Sequence, residues 1–85
     1  MTIEKLQTLW YDFASRTGYS RLQCCIVMSK NVFEQICSDS SFLNFQQFLA
    51  SIGANTTWKA MFERRGMPKV ILIEAEDVLE FVSNL

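Results

Sequence analysis

Ile3, Leu6, Leu9, Trp10 and Phe13 recur in steps of three and four, the spacing of one helical stripe. Thr2 offers a capping oxygen and Gly18 a left-handed stop, so a first helix is predicted from Ile3 to Thr17. The pattern then changes. Leu22 to Met28 is apolar and partly β-branched, which predicts a strand. Ser29 is a good N-cap, and Val32, Phe33, Ile36 and Cys37 mark a short second helix. Ser38-Asp39-Ser40-Ser41 is a polar break. Phe42, Phe45, Leu49 and Ile52, with Phe48 alongside, predict a third helix that ends at Gly53. Asn55-Thr56-Thr57 opens a fourth, which runs to Arg65 and stops at Gly66 and Pro68. Val70 to Ile73 reads as a second strand. Glu76 and Asp77 suit the positive end of a helix dipole, so a fifth helix is predicted, burying Val78, Leu79, Phe81 and Val82.

The predicted order is α-β-α-α-α-β-α, an α+β fold that is mainly helical. No linker or low-complexity run interrupts it, and 85 residues make a single domain, 1–85. Two strands alone form a marginal sheet, so this small two-stranded sheet must pack on helices or extend across a dimer. Composition bears on the same point. Apolar residues make up 49% of the chain, with seven Phe and two Trp. A domain this small buries only about 60% of the surface its unfolded chain exposes. The excess fills a tight core or lies at a homo-oligomer or partner interface. Trp10 and Tyr11 are adjacent and cannot both point inward, so one of them is a candidate partner-binding anchor.

Charge is sorted along the chain. Residues 1–54 are balanced, residues 55–69 carry net +3, and residues 70–85 carry net −4. The whole is slightly acidic, with a pI of about 5.3. Nucleic-acid binders are usually basic overall, because neutralising phosphates supplies much of their affinity. Only the local basic segment points to DNA.

Catalysis is disfavoured. There is no His to act as a general base, and a Cys nucleophile lacks that partner. The three glycines stand far apart as helix ends and form no phosphate loop. Glu76 and Glu80 share a face at i, i+4, which reads as a solvated acidic face. Three cysteines, two of them adjacent, make neither a disulfide framework nor a complete zinc site, so no cofactor is expected. Reducing cytoplasm is the natural compartment. The longest apolar runs, Cys24–Met28 and Val70–Ile73, are far short of the roughly 20 residues of a membrane span, and Met-Thr-Ile-Glu-Lys does not start a signal peptide.

The stretch around Gly53 has helix-turn-helix grammar over residues 42–66: an apolar helix, a Gly in the turn and a capped basic helix. With Arg-Arg-Gly-Met-Pro-Lys-Val-Ile-Leu-Ile and Glu-Asp-Val-Leu-Glu-Phe-Val after it, residues 45–82 resemble the winged helix-turn-helix of excisionases and MerR-like regulators. The resemblance implies a small DNA-binding regulator of transcription. It would place Asn55, Thr56, Thr57, Ala60, Met61 and Arg64 toward the major groove of double-stranded DNA, beside Lys59, with Arg65 and Lys69 on phosphates. The other reading is an ordinary helical hairpin, whose basic helix attracts the acidic C-terminal segment or a sister subunit. The protein is then an interaction module, an adaptor or inhibitor that masks a partner surface.

Overall fold

The computed structural model describes residues 1–84. Its elements are α1 (Ile3–Thr17), a 3₁₀ turn (Arg21–Gln23), β1 (Cys24–Ser29), α2 (Lys30–Cys37), α3 (Ser40–Ser51), α4 (Trp58–Arg64), β2 (Lys69–Ile73) and β3 (Leu79–Ser83). The fold is α+β and mainly helical. α1 begins and ends where its caps require. The Thr2 hydroxyl accepts from the Lys5 amide at 3.1 Å, and Gly18, at φ 76°, turns its N–H to the Ala14 carbonyl. Leu22 lies in the 3₁₀ turn rather than in a strand. α4 starts at Trp58, three residues later than expected, because the Asn55 side chain accepts from the Thr57 amide and holds 55–57 in a turn.

The last element corrects the sequence expectation. Glu76 and Asp77 do not start a helix; Leu79–Ser83 is a strand, and the sheet has three strands, not two. Asp77 sits in the left-handed region at φ 56°, which a right-handed helix cannot continue from. Tertiary hydrogen bonds hold it there. Asn31 donates to the Asp77 carboxylate at 2.8 Å and accepts from the Asp77 amide at 3.2 Å. Ser29 exchanges bonds with Val78 in both directions. Val78–Val82 is only five residues long, and pairing with the free edge of β1 outweighs its helical pattern.

The strand order is β2-β1-β3, with β1 parallel to β2 and antiparallel to β3. β2 and β3 are therefore not a wing hairpin, because β1 lies between them. Ile26 sits level with Val70 and Phe81, and Met28 with Leu72 and Leu79. This face of the sheet, with Cys24, meets all four helices in one core, which holds Ile3, Leu6 and Trp10 of α1, Val32 and Ile36 of α2, Phe42 and Leu49 of α3, and Met61 and Phe62 of α4. The Phe81 ring packs at a tilt against Trp10 at 5.7 Å and Phe13 at 5.3 Å, fastening α1 to the outer strand. Each such ring pair adds roughly 0.5–1.5 kcal/mol to the burial itself. Strand alternation sends Val27, Lys69, Ile71, Ile73, Val82 and the buried Cys25 to the opposite face, outside this cluster. The protein thus has two layers, with the helical core on one face of the sheet.

Candidate binding groove

α4 has two jobs, set by its spacing. Trp58, Met61 and Phe62, at i, i+3 and i+4, point inward. Trp58 meets Phe33 of α2 edge-on at 4.9 Å, and Phe62 packs on Phe42 of α3 at 6.0 Å. Met61 is fully buried, which corrects its placement among residues facing a DNA groove. The charged residues face out in different directions. At about 100° per residue, Arg64 is about 140° round the helix from Lys59, and Arg65 about 120° the other way. Lys59 lies over the Trp58 ring, 5.6 Å from its centroid. Arg65 lies over Phe45, 4.6 Å from that centroid, while its carbonyl accepts from Gln7. The cations of α4 do not share one face.

A second set of residues does converge. Between α4, the 3₁₀ turn and the start of β2 lies a groove of about 440 Å³. Trp58 and Phe62 line it from α4, Leu22 from the 3₁₀ turn, and Val70 from β2. Arg21, Lys59 and Lys69 also line it, and Glu63 is the one carboxylate among its described lining residues. All three cations are exposed. Among the described residues, ion pairs form only between Arg16 and Asp12 and between Lys30 and Glu74, so none of the three is paired. The result is an apolar, aromatic floor under an unneutralised cationic rim. Its volume lies within the roughly 300–1,000 Å³ of ligand pockets. Such a lining suits a carboxylate-bearing segment with an apolar body.

The acidic stretch is elsewhere. Glu74, Ala75, Glu76 and Asp77 form an exposed turn beyond the far end of β2. Lys30 bonds Glu74, and that contact raises the lysine's pKa. Among the described residues, no ion pair joins the basic stretch 55–69 to this acidic one.

The remaining sequence candidates scatter. Asn55, Thr57 and Arg64 are exposed but outside the groove, and Thr56 is half-buried with its carbonyl accepting from Gln46. Trp10 is 4% exposed and belongs to the core, so it is not a partner-binding anchor; Tyr11, 56% exposed, is the surface member of the pair. The cysteines are free thiols. Burial pushes Cys37 up to about 11, and burial followed by the neighbouring Cys25 raises Cys24, so both stay protonated and inert at neutral pH. Arg21 was not singled out in the sequence, where it is one cation in a balanced segment. Only the parallel pairing of β1 with β2 brings residue 21 beside residues 58–70.

Comparison with models of protein families, with curated proteins and with solved structures finds no match. No helix among the described residues is long and apolar enough to cross a membrane.

Proposed function

We propose that this protein is a non-enzymatic, cytoplasmic protein-interaction module that holds an acidic segment of a partner protein in the groove. The observation that carries the reading is the presence of Arg21, Lys59 and Lys69 in one groove lined by Trp58 and Phe62, none of the three in an ion pair among the described residues. The location of the acidic turn supports a compact anionic ligand over duplex DNA. A duplex lying along the sheet would meet Glu74, Glu76 and Asp77 as well as the cations. The groove accepts a short segment without approaching them, and beyond about 8–10 Å the opposing charges are screened at physiological salt.

Duplex DNA is the second reading, favoured by the exposure of Asn55, Thr57, Lys59, Arg64 and Lys69 around α4. One experiment separates the two. Trp58 fluorescence is titrated with a Glu/Asp-rich peptide carrying one central Phe, with its Lys-rich counterpart, and with duplex DNA at low salt. The module reading expects saturable binding of the acidic peptide alone, lost in Lys59→Ala/Lys69→Ala. Binding of duplex, with affinity falling by about 0.9 log units per neutralised phosphate for each log unit of salt, would replace it with the DNA reading.

A further inference from the structure

The strongest acidic segment on this chain is its own turn 74–77, and its position bears on what occupies the groove. We propose that the turn of one copy docks in the cationic groove of a second copy, so that the protein self-associates. This rests on the groove reading above. The charges match. Glu74, Glu76 and Asp77 would meet Arg21, Lys59 and Lys69, with Glu63 the one carboxylate among the described lining residues and Lys30, bonded to Glu74, the cation beside the turn.

Geometry makes the contact intermolecular. Lys69 opens β2 and Ile73 closes it. At about 3.3 Å per residue the strand keeps the two charge clusters roughly 17 Å apart in one molecule. A copy cannot fill its own groove with its own turn.

The turn is also preorganised. Lys30 holds Glu74, Asn31 holds both the amide and the carboxylate of Asp77, and Ser29 holds Val78. Docking therefore orders little that is not already ordered, which is where much binding free energy is otherwise lost. Glu76 is exposed and makes no hydrogen bond or ion pair among the described residues. Because turn and groove lie at opposite ends of one strand, the contact either repeats head to tail into a chain of copies or closes reciprocally, with each copy's turn in the other's groove.

Sedimentation velocity with a charge swap tests this. The groove is reversed by Lys59→Glu/Lys69→Glu and the turn by Glu74→Lys/Glu76→Lys; all four positions are exposed. Arg21→Glu serves as a second groove variant, outside every strand and α-helix. Circular dichroism checks that each variant is folded. At about 20 mM salt, where the Debye length is roughly 20–30 Å, the unaltered protein should grow in mass with concentration. At about 500 mM it should return to the 9.8 kDa monomer. Each reversed variant should stay monomeric alone. An equimolar mixture of the groove and turn variants should associate again, because each then offers the other a matching surface. A monomeric unaltered protein at low salt, or a mixture of folded variants that stays monomeric, overturns the proposal. If the acidic peptide still binds in that case, self-docking falls and the groove reading stands. If the peptide fails too, both fall.

Discussion

Phe62→Ala removes the side chain that joins three helices and underlies the groove. The ring is 2% exposed, with its centroid 6.0 Å from Phe42, 6.0 Å from Trp58 and 6.1 Å from Phe33. Truncating a buried Phe costs about 3–5 kcal/mol, from lost transfer free energy and the cavity left behind. A domain of this length has roughly 4–13 kcal/mol in total. For this size, 1 kcal/mol moves the midpoint by about 4–8 °C, so the melting temperature should fall by at least about 12 °C. Phe48→Ala is the matched control. Phe48 lies on α3 and is 60% exposed, so its removal should cost within about 0.5 kcal/mol. Thermal melts followed by far-UV circular dichroism, with urea unfolding at fixed temperature, measure both. A Phe62→Ala melt within about 4 °C of the unaltered protein, or equal shifts for both variants, would refute the packing described for α4.

Two further outcomes follow from the same geometry. Trp10→Ala should destabilise by about 3–5 kcal/mol and Tyr11→Ala by no more than about 0.5, measured by urea unfolding; comparable costs would contradict their opposite orientations. Cys37 is held protonated to about 11 against an ordinary 9.0, so above pH 9.0 the unfolded chain loses a proton that the folded one keeps. Stability should therefore be unaffected by this group below 9.0 and fall as pH rises from 9.0 to about 11; Cys37→Ala should decline less steeply over that window, and equal slopes would exclude the contribution.

Much of the helical frame was legible because it depends on neighbours in the chain. Thr2 and Gly18 cap α1 where its apolar stripe begins and ends, and Thr57 and Gly66 do so for α4. The stripe that placed Trp10 with Leu6 and Phe13 also explains why Tyr11 is the exposed neighbour. What was missed depends on partners far along the chain. Val78–Val82 carries a pattern that fits a helix face or a strand, and two carboxylates before it suggest a helix start. Asn31 and Ser29, nearly fifty residues upstream, decide for the strand. Met61 belongs to the same inward stripe as Trp58 and Phe62, and the winged-helix resemblance drew it outward. The groove has no local signal at all. Lys59 and Lys69 stood out by charge, but Arg21 reaches them only through the β1–β2 register.

The most direct test of the groove as the binding surface is an amide chemical-shift map on the ¹⁵N-labelled protein. It is titrated with the Phe-containing acidic peptide at low salt, at a protein concentration low enough to keep the protein monomeric. The account predicts that the largest shifts fall on Arg21, Leu22, Trp58, Lys59 and Lys69, with little change at Asn55, Thr57 and Arg64. Shifts centred on Asn55, Thr57 and Arg64, or no shifts at saturating peptide, would contradict it.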